Sequence, residues 1–350
     1  MEQSFIYDDA AAGTGLTVEY APRGDGSASV RALSGPEAVA AEASFAKTAI
    51  DEAHILYMEA TELLRTRAAA GQERAAIRGD VEKLFAAFRG EKVSFGDAGP
   101  SGLAAGAARK PSGEFAANPG KQIDIEVDGV VYERLPVRTR LITLRDADIF
   151  PIVEEYAGPY LKPGDLLFIS EKALTITQGR VVDMGTIKPS PLARLLARNV
   201  STQYGSSGFR GFGHGTALAM QLFIEEAGYL RVLFAAAVSA VTRPFGLRGA
   251  FYYLCGKRAK SIDCPMSFLI LEYAHAAKLA PNDPDGAARR IRRALGCETV
   301  ILDANYRGAF SLGRSARGIS EKFIGKLFRD NPLGQSDEMT PFCIVRRKGI

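Results

Sequence analysis

In Gln122-Ile-Asp-Ile-Glu-Val-Asp-Gly-Val-Val-Tyr132 the apolar side chains adopt a period of two. Ile123, Ile125 and Val127 alternate with polar residues, Asp128-Gly129 supplies a two-residue turn, and Val130-Val131-Tyr132 resumes the extended pattern, which predicts a β-hairpin. Downstream, Leu166-Leu-Phe-Ile169, Leu230 to Val241, Thr299-Val-Ile-Leu302 and Phe342-Cys-Ile-Val345 read as apolar strands, the second of them as a buried strand or helix. Helical patterns at 189–199, 215–227, 285–296 and 319–329 separate these runs. The region from 121 to 350 is therefore expected to be α+β or α/β, with a mixed sheet and helices.

Upstream the composition shifts to Ala, Gly and Ser. Phe45, Ala49, Ile55, Leu56, Met58, Leu63 and Leu64 recur near helical spacing, so Ala38 to Ala70 predicts one long amphipathic helix. Ile77, Val81, Leu84 and Phe85 predict a second helix over Ala75 to Phe88. Residues 1–120 thus form an expected N-terminal extension, a helical hairpin over about 36–90 with loop or linker at 1–35 and 91–120. A two-helix unit cannot bury both apolar faces alone, so the hairpin needs an apolar patch of the following domain or of a dimer interface.

Of the 350 residues 47% are hydrophobic and 24% charged, which excludes a chain disordered throughout. Lys and Arg number 44 against 40 Asp and Glu, a net +4 too small for a nucleic-acid coat but compatible with a small anionic ligand. Cys255, Cys264, Cys297 and Cys343 show no C-x-x-C pairing and read as reduced core thiols. Met1-Glu2-Gln3-Ser4 has no basic targeting region, and Val232 to Val241 is about half the ~20 residues a bilayer requires. A cytoplasmic protein with neither membrane nor nucleic-acid partner is expected. His54, His214 and His275 are too scattered for a zinc set, and no Gly-x-Ser-x-Gly elbow is present.

Carboxylates at strand ends either cap loops or ligate a hard divalent cation. Asp303 follows Thr299-Val-Ile-Leu302, and Asp263 stands between Ile262 and Cys264-Pro265. Asn282-Asp283-Pro284-Asp285-Gly286 runs into a helix whose N-terminus its acids would cap. Gly205, Gly208, Gly211, Gly213 and Gly215 lead into the helix at Thr216; without a Walker lysine they form a phosphate cradle or a loop beside a substrate cleft. Arg243, Arg248, Lys257, Arg258 and Lys260 make a basic cluster, facing anionic ligands or forming a solvated face.

One ordered set of motifs links these pieces. It runs through Leu135-Pro136-Val137 with Leu141-Ile142, Lys162-Pro163-Gly164-Asp165-Leu166-Leu167-Phe168-Ile169-Ser170, Lys172-Ala-Leu-Thr175, and Gln178-Gly179-Arg180. It continues through Asp263, Asp283-Pro-Asp-Gly286, Asp303-Ala-Asn305 with Arg307, and Gly334-Gln335 before Pro341 and Ile344-Val345-Arg346. Over about 130–350 this order resembles the γ-glutamyl ligase family of coenzyme F420. The resemblance implies that family's two-part fold, a homodimer, and NTP-dependent joining of an amino acid, L-glutamate in the family, to a carboxylate acceptor through an acyl phosphate. GTP or ATP would be the co-substrate, with Mg²⁺ or Mn²⁺.

Residue by residue, the resemblance implies that Asp263 and Asp303 bind metal with Gln335 nearby, and that Asn305 and Arg307 join Asp303 in the catalytic set. Lys172, Arg180, Asp285 and Gly286, with Arg243 and Arg248 of the basic cluster, would hold the nucleotide. The chain departs from the family pattern with Ala304 for threonine, Thr175 for serine, Ile176 for lysine and Gln178 for glutamate, and with Ser311 and Leu312 where arginines are usual. The acceptor is therefore left open between the family's deazaflavin and an unrelated natural-product acid. A non-catalytic nucleotide- or metabolite-binding homologue stands as the alternative class.

Overall fold

The structure, a computed structural model, describes residues 5–8, 15–35, 38–69, 73–91, 115–199, 215–245, 249–266, 273, 275–305, 308–334 and 338–349. Its elements are β1 (Phe5–Asp8), β2 (Leu16–Pro22), β3 (Ala28–Ser34), β4 (Val39–Phe45), α1 (Ile50–Ala69), α2 (Arg74–Phe88), β5 (Asp124–Val127), β6 (Val130–Val137), α3 (Ile149–Tyr156), β7 (Leu166–Ser170), α4 (Glu171–Thr177) and β8 (Val181–Asp183). There follow α5 (Pro191–Asn199), α6 (Ala217–Ala227), α7 (Tyr229–Thr242), α8 (Ala250–Cys255), α9 (Lys257–Lys260), β9 (Ala276–Lys278), α10 (Pro284–Leu295), β10 (Glu298–Asn305), β11 (Gly308–Arg314), α11 (Glu321–Leu327) and β12 (Phe342–Arg347). The protein is α+β. Two compact units form, one from 1–100, 182–225 and 262–277, the other from 101–181, 226–261 and 278–350.

In the first unit β1 to β4 form an antiparallel meander. Leu16, Val18 and Tyr20 of β2 and Ala41, Ala43 and Phe45 of β4 are buried, alternating with less buried neighbours as a one-faced sheet requires. Helices α1 and α2 pack on each other, α1 also on β2, β3 and β4 and α2 on β4, burying Ile55, Leu56, Leu63, Ile77, Leu84 and Phe85.

Three expectations are corrected here. Residues 1–35, read as loop, hold three strands. The long helix from Ala38 is instead a strand at 39–45 followed by a helix at 50–69, because pairing with β3 overrides the helix propensity of the Ala-rich β4. The helical hairpin does form, and its partner surface is the sheet of its own unit.

The second unit carries a six-stranded mixed sheet in the order β11-β10-β7-β12-β6-β5, in which β10 and β7 run parallel and every other pair antiparallel. The expected hairpin is present, with Asp128 (φ 51°) and Gly129 (φ 79°) both left-handed, as a twist-matched two-residue turn requires. Leu167, Phe168 and Ile169 of β7 and Phe342 to Val345 of β12 are buried on both faces, the mark of central strands. On one face Ile125, Val127, Phe168, Val300, Leu302 and Val345 pack with Ile324, Leu327 and Phe328 of the α11 region. Helix α10 lies along β10 and β11. The approach is so close that a Cβ on Gly313 would come 2.3 Å from the Pro284 carbonyl carbon.

The run from Leu230 to Val241, expected to be a buried strand or helix, is helix α7 and for the most part is not buried. A short apolar run carries no periodicity to separate strand from helix, and four alanines favour the helix. All four cysteines are buried and free, as expected of core thiols. Among the described residues no helix is long and apolar enough to cross a membrane.

Candidate functional site

Parallel pairing brings the carboxyl ends of β7 and β10 to the same margin of the sheet, with Leu302 in register with Ser170. Open α/β sheets place ligands at such a margin. Asp303 is the next residue, and Asn305, two further on, shares its face of the strand; both are partly buried. Phe310 of β11 is the register partner of Asp303, and the Lys260 ammonium lies 5.1 Å from the centre of its ring. Directly paired residues of an antiparallel ladder project to the same face, so Lys260 lies over the cross-strand neighbour of Asp303.

Asn331, buried and with φ 48°, fastens this corner from below: its Nδ2 donates to Ala304 O at 3.3 Å and to Gly334 O at 2.8 Å. Its Oδ1 is buried with no hydrogen-bond partner. Ala304 packs against the cluster that holds Ile324, Leu327 and Phe328, so Asn331 meets β10 on the α11 side, at Ala304 rather than at Asp303. The Asp303 carboxylate and the Asn305 amide, which share one face of β10, are oxygens of the kind that Mg²⁺ or Mn²⁺ takes, the remaining ligands coming from water and phosphate.

The other expected residues divide four ways. Arg307, Arg248 and Gln335 lie outside the described residues, as do His214 and the glycines at 205, 208, 211 and 213. Asp263 belongs to the first compact unit and Asp303 to the second. Among the described residues no group of three or more His, Cys, Asp or Glu side chains is arranged to hold a metal ion.

Several of the remainder are engaged in the fold. The Arg180 guanidinium donates to Ala280 O and, at 2.7 Å, to Glu226, which also accepts from Arg258 at 2.5 Å. Lys257 donates to Ser311 O at 3.0 Å and at 2.5 Å to Glu321, whose carboxyl stays below its ordinary range despite burial because Lys257 and Ser311 donate to it. Asp285 accepts from Arg314 N at 2.8 Å, and the Gly286 amide donates to Asp283 at 2.9 Å, capping α10. Asp283 therefore acts as the cap the sequence suggests, and Asp285 ties the first turn of α10 to β11. Lys172 and Arg243 are exposed.

Sequence reasoning missed two ion pairs with buried carboxylates, one at each end of β7. Lys278 donates to Glu171 and to Ser261 O, both side chains being essentially inaccessible. The pair locks the first residue of α4 to the chain two residues before Asp263. The signal was a lysine in the otherwise apolar Ala276-Ala-Lys-Leu-Ala280. Asp165, read as part of a family motif, closes the turn with Lys162 N at 2.8 Å and takes Arg346 at 2.9 and 2.7 Å.

A hollow of about 280 Å³ opens between α3, α4 and α10, lined by Phe150, Thr177, Gln178, Arg290 and Asp148 among others. Its polar rim is bonded to itself: Arg290 meets Asp148 at 3.1 and 2.6 Å over the Phe150 ring, and the Gln178 amide exchanges hydrogen bonds with the Asn282 backbone. Comparison with known protein families and with curated protein sequences finds no match.

Proposed function

We propose that the chain is an NTP- and divalent-metal-dependent amide ligase, joining an amino acid, with L-glutamate the expected one, to a carboxylate acceptor. The fold it would use is that of the F420 γ-glutamyl ligases, and the proposal rests on the motif order described above. The observation that carries it is the position of Asp303 at the carboxyl ends of the two parallel strands, with the Lys260 ammonium over its cross-strand neighbour. A carboxylate beside a cation at this margin suits a metal-bound polyphosphate.

Asp303 and Asn305 would hold Mg²⁺ or Mn²⁺, which supplies charge neutralisation for phosphoryl transfer. Lys260 and the exposed Lys172 would steady the phosphates and the acceptor carboxylate. The acceptor oxygen takes the γ-phosphoryl group and a nucleoside diphosphate leaves. The amine of the amino acid then attacks the acyl carbon, loses a proton, and inorganic phosphate departs with the carboxylate oxygen. No group placed to take that amine proton is identified among the described residues.

Purified protein incubated with Mg²⁺ or Mn²⁺, ATP or GTP, glutamate and a metabolite extract should yield nucleoside diphosphate together with a product heavier by one glutamyl residue. Asp303→Asn should reduce turnover by about 10²-fold or more, by loss of a metal ligand, and leave the fold intact. NTP binding without turnover under every combination would favour the non-catalytic nucleotide-binding reading, which the commitment of Arg180 to Glu226 and Ala280 also suits.

A further inference from the structure

Helix α7 turns outward the side chains a core would use. Leu230 is 84% exposed, Phe234 62% and Val241 66%; Phe245 just beyond the helix is 80% exposed, and Tyr253 of the adjoining α8 is 86% exposed. At about 100° per residue, Leu230, Leu233, Phe234, Ala237 and Val241 fall within an arc roughly 100° wide, and the buried Val232 and Ala235 lie on the opposite side of the helix. The arc carries no charge, but an arginine stands at each end of it. Arg231 is in the first turn and Arg243 is the C-cap, about 18 Å further along the axis. Both are exposed: Arg231 donates one N–H to Leu254 O at 2.7 Å, and Arg243 has no ion pair among the described residues.

We propose that this face, α7 with Phe245 and Tyr253, attaches the protein to an anionic lipid surface, with α7 lying along the headgroups. Charge identifies the occupant. Between Glu226 and Asp263 the sequence holds six basic residues and no acid, although the whole chain has 40 acids against 44 bases. Of the six, Lys257 and Arg258 pair with Glu321 and Glu226, Lys260 lies over the Phe310 ring, and Arg248 is outside the described residues. Arg231 and Arg243 are left to border the apolar arc. Leucine and phenylalanine enter the acyl boundary of such a surface, while the long arginine stems reach back to its phosphates and carboxylates. Tyrosine, apolar with a polar tip, suits the same depth. The apolar run is too short to cross a bilayer, but lying along one sets no such length.

The same charges disfavour a second copy on this face. Antiparallel pairing about the middle of α7 would bring Arg243 within about one helical turn of the partner's Arg231, and parallel pairing would set each arginine beside its own counterpart. No acid in the segment relieves either arrangement. The homodimer that the family resemblance implies would use another surface. The inference does not rest on the ligase reading, since none of these side chains belongs to the metal and phosphate site proposed above.

The full chain should co-sediment with phosphatidylcholine–phosphatidylserine vesicles, more weakly with phosphatidylcholine alone, and added salt should release it. Phe234→Glu should weaken binding to the mixed vesicles about tenfold or more and Arg243→Gln about fivefold, with circular dichroism unchanged in both. The chain has no Trp, so Phe234→Trp supplies a single reporter, whose emission should shift to the blue on mixed vesicles and be quenched by brominated lipid. Failure to bind mixed vesicles, equal binding to vesicles without phosphatidylserine, or an unshifted emission overturns the proposal. Binding that survives Phe234→Glu at full strength places the contact elsewhere and overturns it as well. Self-association in the absence of lipid, abolished by Phe234→Glu, would overturn it in favour of a second copy.

Discussion

The two compact units treat buried charge in opposite ways. In the first, Glu59 of α1 is completely buried, neither of its oxygens has a hydrogen-bond partner, and burial pushes its carboxyl well above the ordinary carboxylate range. In the second, three deeply buried ionic side chains each meet their opposite: Glu171 meets Lys278, Asp165 meets Arg346, and Arg134 meets Asp330 together with Leu327 O and Gln122 O. Asp330 stays below its ordinary range despite burial because Arg134 donates to it. The contrast is physical. An acid without a partner takes up a proton, since desolvating its charge costs more than protonation, whereas an acid with a partner keeps its charge and joins elements distant in sequence.

The largest effect is expected where the contrast is strongest. Lys278→Met leaves Glu171 buried without its cation and should destabilise the protein by about 3–5 kcal/mol in urea denaturation. The double variant Lys278→Met with Glu171→Leu should recover most of that loss, because two apolar groups of similar volume replace a pair rather than break one. A double variant no more stable than the single one would show that the pair supports packing which neither apolar group can replace.

Glu59 should respond in the opposite direction. Glu59→Leu removes an unpartnered polar group from the first unit and should stabilise it by about 1–3 kcal/mol. The pH dependence has a definite sign. The folded-state pKa lies above the unfolded one, so between the two the folded chain binds more protons, and stability is full below the unfolded value and falls as pH rises through the folded value. Native-state hydrogen exchange resolved by unit should show this slope in the amides of α1 and β2. Glu59→Gln should abolish the slope while the second unit is unchanged. A slope that survives Glu59→Gln would assign it to another group.

The same contrast bears on what the amino-acid order discloses. Patterns carried by near neighbours were legible: the Asp128-Gly129 hairpin, the continuous apolar runs of β7 and β12, and the Asp283 cap of α10. Those decided by distant partners were not. Val39-Ala-Ala-Glu-Ala-Ser-Phe45 has helix-forming composition and becomes a strand only because β3 lies beside it. The role of Asp165 depends on Arg346, 181 residues away. The candidate site was legible only in part, since a strand-end carboxylate announces Asp303, whereas nothing local announces that Asn331 reaches Ala304.

The smallest effect concerns a carboxylate that stands between these extremes. Asp148 has two partners, accepting from Phe150 N at 3.0 Å as the N-cap of α3 and pairing with Arg290, whose side chain is 55% exposed. Burial raises its carboxyl, and Arg290 and the Phe150 amide more than offset this, leaving it below the ordinary range. Its stabilisation is therefore present above the unfolded pKa and is lost as pH falls through the folded one, the reverse of Glu59. Solvent screens the pair with Arg290 but not the cap, which sits at the helix end itself. Arg290→Ala should consequently cost no more than about 0.5 kcal/mol, and Asp148→Ala about 1 kcal/mol. The difference should persist in high salt, where only the ion pair weakens. Equal costs for the two substitutions would mean that the ion pair, rather than the cap, is the larger contribution of Asp148.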